Sequence, residues 1–523
     1  MFKKNKYEIF YICLPLVIIS FLINFYVASR GVFPVDTFIH YDFSYRILLG
    51  DKPVTDYWIV HGFIIDYIQA VFFMVFGNNW SSYLIHSSIF NVIISLSSYA
   101  VFRLLKIQIY IAFLISISIA FLAYPVSGTP FLDLHSTFFS LLAIYTLIFG
   151  IVNNKPFYWF WVSVLLCLAF LSKQVPAFYT IVGVILLNLY FIVVKKKITD
   201  LIYFISGAIF SITVLVLFLT IQKISISDFI LQIFIFPPSI GVERYETYDL
   251  NFKNIILNYK FIYLVFIPII IINFINLIKI KNYYLTNNFK IFLVLLIFIS
   301  SNLFHQIYTK NQIYIFSLIP ISIGFLFYYK KFIKYKISNF GTYFLLLFCF
   351  FITVKYHVRY NLERKFHELN EVQISNAVDA KIINKKLFNL KWISPNFKEP
   401  NEEVDIIKDF FNILKKDKQK KMLISEYNFY SSLLKENLYT PSRTFDLISY
   451  PRINSKYYMK YKAHLKNIIK KNKIEKIYIF EPFIEFDKDE LIFNYISKDC
   501  FNINLDNKSF IILNILDCNE LRL

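Results

Sequence analysis

Residues 33–77 read FPVDTFIHYDFSYRILLGDKPVTDYWIVHGFIIDYIQAVFFMVFG and carry Asp36, Asp42, Asp51, Asp56 and Asp66 against only Arg46 and Lys52. A carboxylate beside a hydroxyl can take up its proton, so this acidic stretch is a candidate seat for general-base chemistry. Asp36, the first of the row, is the candidate base; it also suits the cap of a helix beginning near Thr37. Asp56 and His61 flank Trp58. An aromatic face beside hydrogen-bonding groups can form the wall of a sugar site, although Trp also collects at membrane interfaces.

A second set of residues could hold an anion. Lys173, in FLSKQ with Gln174, sits in a tight turn between two apolar runs. An unpaired ammonium is costly there and a phosphate would offset the cost; snorkelling to the interface is the other reading. His305 and Lys310, in HQIYTKNQ, occupy a similar turn and suit either phosphate contact or interfacial anchoring. Arg244, in PPSIGVERYETYDL, could grip phosphate bidentately or pair with Glu246. Asp133, in YPVSGTPFLDLHS, could orient an acceptor, join Asp36 around a divalent cation, or start a helix together with Ser136. Two carboxylates without a third ligand do not establish a metal, so no metal ligand is assigned and the cofactor stays open.

Composition shows what must position these residues. Of 523 residues 57% are hydrophobic and only 17% charged, where soluble proteins are about 45–50% apolar. So little polar surface cannot coat so much apolar bulk, and disorder, a collagen-like fibre and a small disulfide-stapled domain are also excluded. Apolar runs of roughly 15–21 residues recur up to residue 354 and then stop, the pattern of a polytopic α-helical membrane protein with a soluble tail. The net charge is +20, and basic residues sit in the short loops between the apolar runs. That is the positive-inside pattern rather than a nucleic-acid footprint, so nucleic acid is not an expected partner.

Lys3, Lys4 and Lys6 precede an apolar run from Glu8 to Ala28, read as an uncleaved first span with its amino terminus in the cytoplasm. Further spans are expected at 83–102, 107–123, 136–152, 157–171, 176–194, 201–221, 261–278, 291–304, 312–328 and 340–354. The stretch Phe63–Gly77 is short and interrupted by Asp66 and Gln69. If it lies flat, Arg103, Lys106, Lys155, Lys195–Lys197, Lys279, Lys281 and Lys330–Lys336 all face the cytoplasm; if it crosses, Lys195–Lys197 fall outside. The charge rule selects the flat arrangement, giving about 11 spans and an external tail.

The expected organisation is therefore a transmembrane domain over 1–354, with external loops 29–80 and 222–260, and an external α/β domain over 355–523. In the tail, 402–416 and 457–471 read as amphipathic helices, and 422–425, 474–480 and 510–515 as short buried strands. Cys500 and Cys518 could pair if the tail faces an oxidising compartment. With 11 Gly and no GxGxxG or Walker pattern, nucleotide binding has no support.

An acidic residue just after the first span, a helix, then LLGDKPVTDYWIVHG and a flat apolar segment ending FG resembles the GT-C glycosyltransferases. More narrowly it is similar to the bacterial branch related to protein mannosyltransferases and lipid A aminoarabinose transferases. Asp133, FLSKQ and HQIYTKNQ continue the likeness over about residues 1–330. Two positions depart: Thr37 follows Asp36 where the family often has Glu, and Phe63 replaces the proline that commonly follows His-Gly.

The resemblance implies a GT-C-like fold and an enzyme that moves a sugar from a polyprenyl-phosphate donor to a hydroxyl of a lipid, glycan or protein. The reaction would take place at the external face of a bacterial inner (cytoplasmic) membrane, with the tail periplasmic. Asp36 would be the base. Asp133, Asp56, His61 and Trp58 would bind acceptor or sugar, and Lys173, Gln174, His305, Lys310 and Arg244 the donor phosphate. Membrane lipids complete the expected partners. The alternative is a polytopic transporter or lipid-linked-sugar flippase, which calls for ionisable residues within spans, broken helices and internal repeats. The spans are nearly free of charge. A non-catalytic scaffold, a third reading, would not need an acidic first loop.

Overall fold

The computed structural model describes residues 8–30, 34–124, 128–195, 198–240, 251–309, 315–332, 339–365, 372–394, 397–446, 449–481, 489–506 and 509–521. The chain divides into two compact units. The first comprises Met1–Ala28, Leu84–Leu215 and Thr247–Phe366; the second comprises Ser29–Tyr83, Val216–Glu246 and His367–Leu523.

Apolar helices build the first unit. Among the described residues of the chain, 8 helices are long and apolar enough to cross a membrane: Phe10–Ala28, Trp80–Leu104, Leu132–Asn153, Gln174–Val194, Ile198–Ile221, Lys260–Lys279, Asn287–Thr309 and Gly341–Leu362. The other expected spans are also helices, but shorter: Ile109–Leu122, Phe157–Ser172 and Leu318–Tyr329. At 1.5 Å per residue each reaches less than the ~30 Å of a hydrocarbon core. Leu318–Tyr329 is buried along nearly its whole length, which suits a helix that is hydrophobic all round.

Polar side chains join these helices where apolar surroundings leave them no water. Asn24 donates to Ser87 Oγ (2.9 Å) and to the Gly128 carbonyl (3.0 Å). Asn91 donates to the carbonyls of Ser20 (2.8 Å) and Ala120 (3.1 Å). Such contacts and small residues hold membrane helices close. Gly128 has φ +66°, and a Cβ there would stand 2.7 Å from the backbone of Ala28, so both conformation and space require glycine.

The two ends of this unit differ in chemistry. At one, Glu8 accepts from Arg103 Nε (2.7 Å) and Tyr99 Oη (2.7 Å), and Lys331 donates to the carbonyls of Leu105 and Lys106. At the other lie Ala28, Gly128 and the start of Leu132–Asn153. Glu8 precedes the first span and Arg103 closes the second, so consecutive spans run antiparallel. That leaves the 13-residue helix Ile64–Phe76 no crossing to make.

The second unit holds a four-stranded sheet: β1 Lys421–Ile424, β2 Lys476–Phe480, β3 Phe501–Asp506 and β4 Phe510–Ile515. Their order is β1-β2-β4-β3, with β1 and β2 parallel and the other pairs antiparallel. A parallel pair needs a crossover, and helix Tyr458–Asn472 lies in the connection, burying Tyr461, Leu465, Ile468 and Ile469. Helix Pro400–Lys416 begins with proline, carries Glu402 and Glu403 in its first turn and Lys415 and Lys416 in its last, all favourable to the helix dipole. Cys500 and Cys518 form a disulfide. β3 is the strand of this sheet that the sequence did not announce; its Ile503 and Leu505 are exposed at the sheet edge, on either side of Asn504.

This unit draws in the chain at 29–83 and 216–246, segments that the expected domain boundaries had grouped with 1–354. The reason is packing. Trp58, Val60 and Phe236 share one hydrophobic core with Met422, Ile424, Tyr461, Ile477 and Leu513. Gln232, 1% exposed, also donates to the Val54 carbonyl (3.0 Å) and accepts from the Ile59 amide (3.0 Å).

Candidate active site

In the first unit three residues read separately from the sequence meet. Asp133 stands in the first turn of helix Leu132–Asn153. One of its oxygens accepts from Lys173 Nζ at 2.6 Å and the other lies 2.8 Å from His305 Nε2. It therefore bridges a cation and an imidazole instead of capping its helix, and both oxygens are engaged. Lys173 is brought there by a break: helix Phe157–Ser172 ends at this residue, whose backbone turns extended (φ −151°, ψ 130°). Its amide donates to Ala169 O and its carbonyl accepts from Ser136 Oγ (3.0 Å). His305 lies on Asn287–Thr309, and one turn further in Thr137 donates to Asn302 (3.1 Å), fixing the register of the two helices.

Lys173 thus has a carboxylate as counter-charge, where the sequence suggested a phosphate. A buried ammonium takes the nearest anion that cancels its desolvation cost. One of its three N–H donors is paired in the structure and its side chain is 13% exposed, whereas Asp133 and His305 are 3% and 2% exposed. The cluster can therefore present an oriented positive group at the helix ends.

The second unit contains a parallel arrangement. Helix Pro34–Leu48 begins with proline and carries Asp36 in its first turn; the Asp36 side chain lies outside the described residues. The helix ends on Gly50, φ +100°, with Asp51 N donating to Arg46 O and Gly50 N to Ile47 O, a Schellman-type ending. That reversal returns Asp51 to Arg46 (2.7 Å). Arg46, fully buried, lies over the rings of Phe43 and Tyr57 and donates to Thr440 O (3.0 Å). Four residues behind Arg46, Asp42 accepts from the Ser432 amide (2.8 Å), and burial pushes its carboxyl above the ordinary range. His40 Nδ1 lies 2.5 Å from Asp66, whose other oxygen accepts from Arg443 Nη2 at 2.6 Å. All three are at most 3% exposed. Asp66 interrupts an apolar stretch, and an isolated acid there demands a buried partner. That signal was present in the sequence; nothing in it named Arg443 or His40.

The remaining expected residues fall as follows. Trp58, read as a sugar wall, is a core residue instead: it is 2% exposed and packs edge-on against Phe236, Tyr461 and His464. Burial holds that His464 neutral, pushed down to about 4. Asp56 pairs with Lys471 Nζ (2.7 Å) and accepts from the Lys52 amide. His61 and Gln174 are half-buried in the second and first units respectively. Arg244 and Lys310 lie outside the described residues. Among the described residues no group of three or more His, Cys, Asp and Glu could hold a metal ion.

Residues 60–221 match the family model described as dolichyl-phosphate-mannose-protein mannosyltransferase. The match takes in Asp133 and Lys173 and begins beyond Asp36. No curated protein matches the chain in sequence. Among solved structures, ArnT from Cupriavidus metallidurans bound to undecaprenyl phosphate is 10% identical with TM-score 0.46, over 96% of this chain and 97% of that one. The archaeal oligosaccharyltransferase AglB from Archaeoglobus fulgidus, with an inhibitory peptide and a dolichol-phosphate, has the same identity and TM-score over 91% of this chain and 70% of that one. Likenesses of that size carry no inference about this chain. The family match and the set of membrane-length helices bear out the expected resemblance to multi-pass GT-C glycosyltransferases.

Proposed function

We propose that the protein transfers a sugar from a polyprenyl-phosphate donor to a hydroxyl acceptor at the external face of the membrane. The observation that carries this reading is the mannosyltransferase-family match over 60–221, a segment containing the paired Asp133 and Lys173. In this reading the acceptor oxygen attacks the anomeric carbon, Asp36 takes the hydroxyl proton, and the bond to the phosphate oxygen breaks with its electrons moving onto the phosphate. Lys173 meets the charge that develops there, with Asp133 and His305 fixing its direction; a pre-oriented cation needs no reorganisation as the bond breaks. Gln174, Arg244 and Lys310 belong to the same donor-phosphate set, and Asp56 and His61 to the acceptor side.

Two observations support an orientation. Arg103, Lys106 and Lys331 gather at one end of the helical unit, as cytoplasmic loops do. The tail carries a disulfide, which persists in oxidising compartments. The reading is accordingly a bacterial inner-membrane protein with a cytoplasmic amino terminus and a periplasmic tail.

The test is transfer from radiolabelled polyprenyl-phosphate sugars in membranes holding the full chain, for wild type, Asp36→Asn and Lys173→Gln at matched expression. Transfer by wild type that Asp36→Asn abolishes, and that Lys173→Gln lowers by about 100-fold, supports the reading. Undiminished transfer by Asp36→Asn would remove that residue as the base.

A further inference from the structure

The tail reaches the helix that carries Asp36 at three successive places: Arg443 through Asp66 to His40, the Ser432 amide to Asp42, and the Thr440 carbonyl to Arg46. Every one of these groups is buried. Two backbone bonds lock the same tail segment onto the loop, Trp58 N to Pro441 O (2.8 Å) and Arg443 N to Trp58 O (3.0 Å). Arg443 also donates to Gly62 O (3.0 Å), so one guanidinium fixes both the turn before helix Ile64–Phe76 and the acid inside it.

From this geometry we propose that Arg443 is a positioning residue for the reaction: it holds Asp66, and through Asp66 and His40 it fixes the helix bearing the base. The proposal rests on the reading of Asp36 given above. His40 stands four residues, about one turn, beyond Asp36 on that helix. A guanidinium suits the task because its planar fork binds a carboxylate and a carbonyl at once. Asp66 in turn holds one ring nitrogen of His40 and so sets the plane of the ring. The tail would then be part of the catalytic apparatus without touching substrate.

The experiment compares full-length wild type, Arg443→Ala, Arg443→Lys and Asp66→Asn in native-lipid membranes by two readouts. Hydrogen–deuterium exchange reads positioning without reference to activity. Amides of 36–46 in Arg443→Ala should exchange at least about 10-fold faster, with helix Leu132–Asn153 unchanged and Arg443→Lys intermediate. Transfer kinetics read the consequence: kcat should fall by about 10–100-fold with KM for the donor within about twofold, and Arg443→Lys should recover part of it. The Arg443→Ala/Asp66→Asn double variant should lose no more than either single one. Wild-type exchange at 36–46, or unchanged kcat in Arg443→Ala, overturns the proposal. If Arg443→Ala does not fold, Arg443→Lys and Asp66→Asn read the same pair, and wild-type exchange and kcat in both overturn it equally. Failure of wild type to transfer any donor would sink the functional reading, while the exchange measurement still decides whether Arg443 positions the helix.

Discussion

Asp133 in the membrane unit and Asp66 in the second unit are built alike: each carboxylate spans a cation on one oxygen and a histidine on the other. They differ in the cation. Asp66 holds an arginine that is 3% exposed and whose remaining contacts go to the backbone. Asp133 holds a lysine that is 13% exposed, with one of its three donors paired in the structure. The arginine arrangement is wholly buried and ties two segments of the fold together, which suits a lock. The lysine arrangement is directed but incomplete, and suits a ligand. Similar ion-pair chemistry thus gives either architecture or a site, depending on how deeply the fold buries the cation.

The largest test of this contrast is Asp66→Asn. It leaves the Arg443 charge buried without its partner, and should lower unfolding stability by about 3–5 kcal/mol, read from denaturation of the purified full chain. Asp133→Asn should behave differently. Lys173 is partly exposed and can reach water, so stability should fall by only about 1–3 kcal/mol, while sugar transfer falls by about 100-fold. Equal stability losses in the two variants, with transfer intact in Asp133→Asn, would erase the distinction between lock and site.

A third test concerns a buried acid with no cation. Glu481, 1% exposed, accepts from the Glu426 amide (2.6 Å), and burial pushes its carboxyl up to about 8. Its folded value lies above its unfolded one, so the folded state holds the extra proton between about 4.5 and about 8. The stability this contributes is complete at low pH and is lost as pH rises through that window, at up to about 1.4 kcal/mol per pH unit. Glu481→Gln should flatten that dependence. The smallest effect belongs to Lys471, half-exposed and paired with Asp56. Lys471→Ala should cost less than about 1 kcal/mol, and a larger loss would show that surface pairs contribute more here than exposed pairs usually do.

Much of this architecture was legible in sequence because apolar length and charge placement are strong, local signals. The helices at the expected spans, the short helix at 64–76, and the tail's helices and three of its strands follow from them. The candidate site was legible only as separate residues. Asp133, Lys173 and His305 each stood out as ionisable groups at the ends of apolar runs, but their meeting depends on helix register, which no local pattern encodes. Trp58 was misread because an aromatic among polar neighbours resembles a sugar wall; its partners, Phe236 and Tyr461, lie far along the chain. Asp66 announced a missing partner, while Arg443 sat in a loop with nothing to mark it. The strand at 501–506 escaped because its outward face is apolar and its asparagines are poor strand formers.

The pairing of Asp66 with Arg443 has a consequence in time. The two are separated by 377 positions in the chain, and synthesis at about 5–20 residues per second puts about 20–75 s between them. Throughout that interval Asp66, Asp42 and Arg46 lack their tail partners. The helix bearing Asp36 is therefore completed only by the last third of the chain, so a prematurely ended product would carry the candidate base on an unsecured helix.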